Sequence, residues 1–251
     1  MRIAIITGAT GGLGIGFTQA IAAMEDIEEI WAVGRNAAKL GKLKESFEKV
    51  RPVEADLAYD GVRLLEGMMK EEAPDVRFLV NNAGVGYFGA FEKQTREEVE
   101  AFCRINCSAP AELMAVALPY MKKGARIINV SSASSFQPNP YLSAYSASKV
   151  FLKNLSRALS VELRSRGISV TCVCPGWVDT GMLPRTKDGK EIRYSGMISV
   201  DRVVKKAMKD SMRGKAMSVP GFFAKYFRIY SKLMPTGLVM RQWTWGIRKY
   251  L

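Results

Sequence analysis

Thr7-Gly8-Ala9-Thr10-Gly11-Gly12-Leu13-Gly14 follows a short apolar run, residues 2–6, at the start of this chain. An amphipathic pattern with Phe17, Ile21 and Met24 comes directly after it and predicts a helix. A strand, a glycine-rich turn and a helix together place backbone N–H groups and a helix N-terminus where they bind a pyrophosphate. A flexible surface turn is the alternative, but both flanks argue against it. We therefore predict a dinucleotide-binding fold organised around this turn.

Short apolar runs alternate with helical patterns along the rest of the chain. The further predicted strands are 29–33, 53–55, 78–80, 126–130, 168–173 and 216–219. This alternation is typical of βαβ units, so it predicts an α/β fold: a doubly wound, Rossmann-like parallel sheet of about seven strands with helices on both faces. We assign residues 1–221 to this nucleotide-binding and catalytic domain, and residues 222–251 to a basic amphipathic extension of it.

The end of the second predicted strand carries Gly34-Arg35-Asn36. Dinucleotide folds that prefer NAD place an Asp or Glu about here, roughly 20 residues past the loop, to bind the ribose 2′-hydroxyl. A guanidinium suits a 2′-phosphate instead, which a carboxylate would repel. Arg35 therefore favours NADP(H) over NAD(H), with a merely solvent-facing arginine as the open alternative.

Tyr145 and Lys149 stand just before an apolar-periodic segment, 150–163, that predicts a long helix, and we expect both residues to belong to its first turns. Residues four apart lie on one face of a helix. An ammonium at that distance stabilises a phenolate, so we expect Lys149 to lower the pKa of Tyr145 from about 10. Such a tyrosine exchanges a proton with an alcohol or carbonyl oxygen near neutral pH. A helix that carries these two residues without any chemistry is the alternative.

Polar or small residues end the other predicted strands. Ligands of open α/β sheets bind outside the carboxyl ends of the strands. The candidate ligand-binding segments are therefore Asp56-Leu57, Asn81-Asn82-Ala83-Gly84-Val85-Gly86, residues 131–135 and Pro175-Gly176-Trp177-Val178-Asp179-Thr180.

Asn106 lies inside a predicted helix that starts with a capping box at Thr95 and runs toward 120. It is either a core amide or a site residue. The polar segment 181–199 is a candidate lid.

The composition excludes several classes of chemistry. The 251 residues include no histidine, which removes Ser-His-Asp and Cys-His nucleophiles and every His-ligated metal site, and we predict no metal. The four cysteines form no C-x-x-C pair, and we expect buried thiols in a reduced, cytoplasmic protein. No apolar run approaches the ~18 residues of a membrane span. The apolar start is too short for a signal peptide.

The last fifth of the chain is strongly basic. From residue 202 onward there are 12 Lys and Arg against one Asp, a balance of +11 within a net charge of +13. Apolar side chains recur there at helical spacing beside cations, in the order Phe223, Lys225, Phe227, Arg228, Tyr230, Lys232 and Met234, followed by Arg241, Trp243, Trp245, Arg248, Lys249 and Tyr250. Packing on the protein's own core or a sister subunit is favoured. Contact with a membrane surface is the next interpretation. Because no nucleic-acid-binding motif accompanies these cations, we expect no binding to nucleic acid.

Taken together, these motifs resemble the short-chain dehydrogenase/reductase family in its compact, single-domain form. The resemblance covers residues 1 to about 220. It rests on the glycine loop, Asp56-Leu57, Asn81-Asn82-Ala83-Gly84, Asn106, Ser131-Ser132, Tyr145-x-x-x-Lys149 and Pro175-Gly176-x-Val178-x-Thr180. Each motif is weak alone, but all of them in family order make the resemblance specific.

The resemblance implies a role for each residue. Tyr145 would be the general acid/base, and Lys149 would lower its pKa and hold the nicotinamide ribose. Ser132 would bind the substrate oxygen, and Asn106 would hold a water in a proton relay to Lys149. Besides Tyr145 and Lys149, the implied cofactor contacts are Thr7, Gly8, Thr10, Gly12, Leu13, Gly14, Gly34, Arg35, Asn36, Asp56, Leu57, Asn82, Ala83, Gly84, Pro175, Gly176, Val178 and Thr180. Many NADP-preferring members carry a second basic residue in the glycine loop, where this chain has Thr10 and Gly11.

The motifs predict an NADP(H)-dependent oxidoreductase that moves a hydride between nicotinamide and a carbonyl or secondary alcohol. We expect a hydrophobic, lipid-, steroid- or acyl-like substrate, and the resemblance implies a homodimer or homotetramer. The alternative is a non-catalytic NADP(H)-binding sensor or scaffold, docked to a membrane or partner through the tail. A sugar-nucleotide epimerase also uses Tyr and Lys, but the chain leaves little room for its substrate domain.

Overall fold

The computed structural model describes residues 1–181, 183, 186–187, 190–192 and 194–247. Its strands are β1 Arg2–Thr7, β2 Glu29–Gly34, β3 Val50–Glu54, β4 Asp75–Asn81, β5 Arg126–Val130, β6 Ser169–Val173, β7 Thr186–Lys187, β8 Lys190–Glu191 and β9 Met217–Ser218. Seven of them form one sheet in the order β3-β2-β1-β4-β5-β6-β9, in which every pairing is parallel. The predicted doubly wound parallel sheet is confirmed.

Most of the helices lie between the strands, as the alternation predicts, and the last two follow β9. They are α1 Gly12–Ala22, α2 Ala37–Ser46, α3 Gly61–Glu72, α4 Arg96–Cys103, α5 Ala109–Ala117, α6 Ser143–Glu162, α7 Val200–Met212, α8 Phe222–Leu233 and α9 Thr236–Ile247. The order of the strands reverses between β1 and β4, because β1 pairs with both β2 and β4. In sheets of this type, that point opens a crevice at the carboxyl ends of the strands.

Alternate side chains of the central strands serve opposite faces of the sheet. In β1, Ile3 and Ile5 join one buried cluster with Leu65 of α3, and Ile6 joins the other with Phe17 of α1. A strand covered by helices on both faces needs apolar residues at every position. This explains why residues 3–6 form a continuous apolar run instead of an alternating one.

The predicted helix from 95 toward 120 is present, but it is not one regular α-helix. It does begin at Thr95 with the predicted capping box, but α4 ends at Cys103 and a π-helical segment, Arg104–Ser108, separates it from α5. Pro110 has no N–H to give to the carbonyl of residue 106, and its ring clashes with that carbonyl in a regular α-helix. A wide turn relieves this conflict, and Asn106 lies within it.

The expectation that all four cysteines are buried is correct only for Cys172 and Cys174. Cys172 and Cys174 are buried in and after β6, but Cys107 is partly exposed and Cys103 is exposed. All four thiols are free. Cys103 ends α4, where the helix surface faces solvent.

The C-terminal segment forms two helices instead of the single one that the apolar spacing predicts. α8 matches the predicted helix, and α9 follows it after Pro235. Ala224 of α8 is buried against Val219 and Cys174. Arg248, Lys249 and Tyr250 of the predicted basic tail lie outside the described residues. Among the described residues, no helix combines the length and apolar character that crossing a bilayer requires.

Candidate active site

A cavity of about 700 Å³ lies at the carboxyl ends of the strands, where the strand order reverses. Nucleotide-fold residues line one end: Gly8, Thr10, Gly11, Gly12, Leu13, Gly34, Arg35, Lys39, Asp56, Leu57, Asn82, Ala83 and Gly84. Ser132, Tyr145, Lys149, Pro175, Gly176, Val178 and Thr180 line its middle. The other end is walled by Phe88, Trp177, Leu183, Phe223, Phe227 and Trp243. We call these the nucleotide end and the aromatic end.

The glycine loop is tight because backbone approaches backbone there. Gly8 has φ +61°, and a Cβ on it would lie 2.9 Å from the Cα of Ala83. A Cβ on Gly14 would lie 2.1 Å from the Gly8 carbonyl oxygen, so only glycine lets α1 start this close to the turn. A Cβ on Gly12 would meet Thr180 at 2.9 Å. The loop therefore presents bare backbone to the cavity.

Three predicted cofactor contacts lie behind the cavity wall and not in it. Thr7 is buried, and its hydroxyl accepts hydrogen bonds of 3.0 Å from the backbone N–H groups of Asn82 and Ala83. Gly14 packs against the turn itself. The Asn36 side chain accepts from Lys39 N at 2.9 Å and so caps α2. These three residues therefore hold in place the residues that do line the cavity, and they do not line it themselves.

Two cations border the nucleotide end where β2 meets α2. Arg35 lies 3.9 Å from a carboxylate oxygen of Asp56, and its side chain is 65% exposed. Lys39 lines the same cavity from the first turn of α2. Sequence reasoning missed Lys39. Its position one helical turn after Arg35, just past the Asn36 cap, is the signal that could have revealed it.

Tyr145, Lys149 and Ser132 lie together in the middle of the cavity. Both members of the Tyr–Lys pair stand in the first two turns of α6, and the Lys149 Nζ is 5.5 Å from the centre of the Tyr145 ring. Nζ donates to the Val130 carbonyl at 3.0 Å, and the Ser131 hydroxyl donates to the Lys149 carbonyl at 2.8 Å. The end of β5 thus anchors the start of α6.

The expected lowering of the Tyr145 pKa is wrong. Burial raises the pKa of the phenol above its ordinary 10.0, and a hydrogen bond with the Ser132 side chain lowers it only in part. The Lys149 ammonium is directed at the Val130 carbonyl, which explains why it does not offset the burial of the phenolate. Burial also lowers the pKa of Lys149 from 10.5 to about 8.

Asn106 is buried and binds the loop after β4 through both ends of its amide. Its Oδ1 accepts from Val85 N at 2.9 Å, and its Nδ2 donates to Val85 O at 2.8 Å. A Cβ on Gly84 would lie 3.1 Å from Asn106 Oδ1 and 3.3 Å from Lys149 Nζ. Asn106 therefore lies beside the amine, with Gly84 leaving space between the two polar groups.

The aromatic end comes from four separate parts of the chain. The Trp177 ring lies 6.3 Å from Phe88, 4.9 Å from Tyr194 and 6.2 Å from Trp243, between ring centroids. Trp243 Nε1 donates to the Pro140 carbonyl at 2.9 Å, which fixes α9 against the loop before α6. The wall thus includes residues on both sides of the predicted boundary at 221.

The candidate lid, 181–199, lies only partly within the described residues. Leu183 lines the cavity, and Tyr194 is buried against Trp177. Residues 182, 184, 185, 188, 189 and 193 are outside the described set. Within that set, no cluster of Cys, Asp and Glu side chains has the arrangement of a metal site.

Comparisons with known proteins identify the family of this chain. A sequence model of the family described as short chain dehydrogenase matches residues 2–191. The chain belongs to the short-chain dehydrogenase family, a family of oxidoreductases. An uncharacterized oxidoreductase of Myxococcus xanthus is 31% identical over 224 residues, covering 81% of this chain and 86% of that protein.

Two further relatives differ in what their names state. The human inactive hydroxysteroid dehydrogenase-like protein 1 is 34% identical over 191 residues, which cover 72% of this chain and 57% of that protein. A solved short-chain dehydrogenase of Sphingobium yanoikuyae in complex with NADPH is 26% identical, with a TM-score of 0.78 and 95% of each chain covered.

Proposed function

We propose that this protein is an NADP(H)-dependent reductase of hydrophobic carbonyl compounds. One observation carries the proposal: Tyr145, Lys149 and Ser132 lie between a nucleotide end of bare backbone and an aromatic end, within one cavity. When bound, NADPH supplies the hydride. The residues of this chain bind and orient the reactants and move a proton at the substrate oxygen.

Tyr145 is the proton donor in this proposal. Burial keeps its pKa above 10.0, so the phenol is protonated throughout the physiological pH range. A protonated phenol is the form that gives a proton to a carbonyl oxygen as that oxygen becomes an alcohol. The raised pKa therefore leaves Tyr145 in the protonated form that reduction of a carbonyl requires.

The neighbours of Tyr145 support the transfer. Lys149, with a pKa of about 8, is mostly charged at neutral pH. Its ammonium lies 5.5 Å from the centre of the Tyr145 ring, and in this proposal that positive charge favours the departure of the proton once a substrate is bound. The Ser132 hydroxyl is the second group that reaches the substrate oxygen. Asn106 lies beside Lys149 across the space at Gly84, which supports a relay that returns a proton to Tyr145 through water.

The nucleotide end supports a phosphorylated dinucleotide. The loop offers backbone N–H groups and the start of α1 to a pyrophosphate. Arg35 and Lys39 border the same end, and two cations suit a 2′-phosphate, which an acidic residue at the end of β2 would repel. Lys39 thereby supplies the second basic residue that the glycine loop lacks. The NADPH complex of the Sphingobium relative is consistent with this preference.

The aromatic end supports a hydrophobic substrate with a bulky group beside the carbonyl. Trp177, Phe223, Phe227 and Trp243 give that end large apolar faces. Aromatic rings bury large areas of an apolar ligand at little conformational cost. A small, strongly hydrated carbonyl compound would leave this wall without a partner.

The test is a screen of the purified protein with NADPH and with NADH across a panel of carbonyl compounds. The panel ranges from short aldehydes to aryl, steroidal and long-chain ketones, and absorbance follows cofactor oxidation. We expect turnover with NADPH and a bulky, apolar ketone. The rival is a non-catalytic binding protein, as the name of the inactive human relative illustrates. Tight NADPH binding without turnover on any compound would favour that rival.

A further inference from the structure

Helix α8 has two apolar faces, of which only one is covered. Ala224 is buried, and Phe223 and Phe227 line the aromatic end. On the side opposite to Ala224, four large apolar side chains are exposed: Phe222 at 84%, Tyr226 at 54%, Ile229 at 61% and Leu233 at 75%. We call these four residues the outer face of α8.

The outer face is a continuous stripe along the helix. Its members follow the i, i+4, i+7, i+11 spacing, which at 3.6 residues per turn confines them to an arc of about 60°. Single exposed apolar residues are ordinary on protein surfaces, whereas a continuous apolar patch marks a surface that binds something. We therefore expect a partner surface, the occupant, to cover the stripe.

The charges beside the stripe identify the chemistry of that occupant. Lys225, Arg228 and Lys232 are exposed on α8 and lie along one side of the outer face. Beyond Asp210, the sequence contains no Asp or Glu up to its last residue, 251. An apolar stripe bordered by cations alone is complementary to a surface that is both apolar and anionic.

We propose that the outer face of α8 docks on an anionic lipid surface. Helices of this kind lie in the plane of the membrane, with the apolar side chains between the acyl chains and the cations at the headgroups. Each Lys or Arg near such a surface strengthens binding about fivefold. The proposal does not depend on the proposed reaction, because docking requires no turnover.

A second copy of the chain is the competing occupant, and the charges argue against it. A two-fold contact through this face would place each residue of the patch opposite the same patch. Lys225, Arg228 and Lys232 of the two copies would then approach one another without an acidic partner from the C-terminal segment. A like-charged contact of this kind opposes association, whereas anionic headgroups neutralise the same cations.

Docking would also bring the membrane close to the cavity wall. Phe223 and Phe227, which line the aromatic end, lie about 110° around α8 from the centre of the outer face. A compound that is dissolved in the lipid would then enter the cavity beside the helix that touches the membrane. The same helix thus connects the lipid surface with the apolar part of the site.

The test is co-sedimentation of the full chain with vesicles. One set is pure phosphatidylcholine, and the other contains about 30% phosphatidylglycerol, an anionic lipid. We expect binding to the anionic set that weakens as salt is added, and at least tenfold weaker binding to the neutral set. Equal partition into the two sets, or partition into neither, would overturn the proposal.

Two groups of variants locate the contact. The apolar group is Phe222→Ser, Ile229→Ser and Leu233→Ser, and its matched control removes three apolar residues that are exposed elsewhere: Tyr59→Ser, Leu64→Ser and Val161→Ser. The charge group is Lys225→Gln, Arg228→Gln and Lys232→Gln, and its matched control is Lys42→Gln, Lys93→Gln and Lys122→Gln. We expect the charge group to weaken vesicle binding on the order of a hundredfold and both controls to bind as the unmodified protein does.

Sedimentation velocity distinguishes the competing occupant. The proposal predicts that the apolar variants keep the oligomeric state and melting temperature of the unmodified protein while they lose vesicle binding. If those variants instead dissociate an oligomer, and the unmodified protein ignores anionic vesicles, the outer face is a contact between copies and the proposal is wrong.

Discussion

The two ends of the cavity are built by different means. The nucleotide end consists mainly of backbone from loops that directly follow β1 to β4, with glycines where a Cβ would collide. The aromatic end consists of large side chains from a loop, the segment after β6, α8 and α9. Backbone recognition requires particular residue types at fixed spacing. Side-chain recognition requires only bulk at a place that the tertiary fold determines.

The same contrast separates what each end does in the proposed reaction. The nucleotide end sets which cofactor binds, and the aromatic end sets which carbonyl compound binds. Tyr145 lies between them and acts on atoms that meet there. Substitutions at one end should therefore leave binding at the other end unchanged, and only the middle should affect every substrate equally.

The largest effect is expected in the middle of the cavity. Tyr145→Phe removes the phenolic proton, and we expect kcat to fall by about 10²–10⁴-fold because general acid catalysis contributes that much. NADPH affinity should change little in fluorescence titration. Tyr141→Phe, in the loop before α6, is the matched control. Full activity of Tyr145→Phe would show that another group donates the proton.

The next effect is expected at the nucleotide end. Arg35→Asp should lower kcat/KM for NADPH by about 10–100-fold, since it replaces a charge-assisted contact with a repulsive carboxylate. The value for NADH should stay within a small factor, and so should the KM of the ketone. Arg63→Asp, on the exposed surface of α3, is the control. Steady-state kinetics with both cofactors decide the matter, and equal losses with NADPH and NADH would remove Arg35 from cofactor selection.

A smaller effect is expected at the aromatic end. Phe227→Ala removes apolar contact area, and we expect the KM of a bulky ketone to rise by about tenfold at unchanged NADPH affinity. Tyr226→Ala, on the outer face of the same helix, serves as the control. A change in NADPH affinity in Phe227→Ala would mean that the two ends are not independent.

The smallest effect is expected from raising the pH from 7 to 8. Because the pKa of Lys149 is lowered to about 8, the amine is charged below that pH and neutral above it, while Tyr145 remains protonated throughout. The kcat/KM for reduction should therefore be about half its maximum at pH 8 and fall roughly tenfold per further pH unit. Lys149→Arg stays charged, so its profile should remain flat through that range. A profile that rises between pH 7 and 9 would contradict the assignment.

The nucleotide end was largely predictable because its signals are local. Gly8, Gly12 and Arg35 each lie within six residues after an apolar run, and each strand end brings its residues to one edge of the sheet. The sequence pattern places Asn106 in a helix, but its π-helical turn depends on Pro110 four residues later. The direction of the Tyr145 pKa shift was missed because sequence spacing shows a nearby amine and not the burial that opposes it.

The aromatic end could not be assembled from the sequence. Phe227 and Trp243 stand at helical spacing in a segment whose pattern fits a core, a subunit contact or a membrane equally well. Nothing local connects either residue with Trp177. Their meeting depends on how α8 and α9 pack across the end of the sheet, which is a property of the whole fold.

A crystal structure of the complex with NADP⁺ and a bulky ketone that reacted in the screen tests the central claim most directly. We predict the carbonyl oxygen within about 3 Å of both the Tyr145 and Ser132 hydroxyl oxygens, and the apolar part of the ketone against Phe227 and Trp243. A ketone bound away from Tyr145, or a nicotinamide ring directed out of the middle of the cavity, would contradict the account.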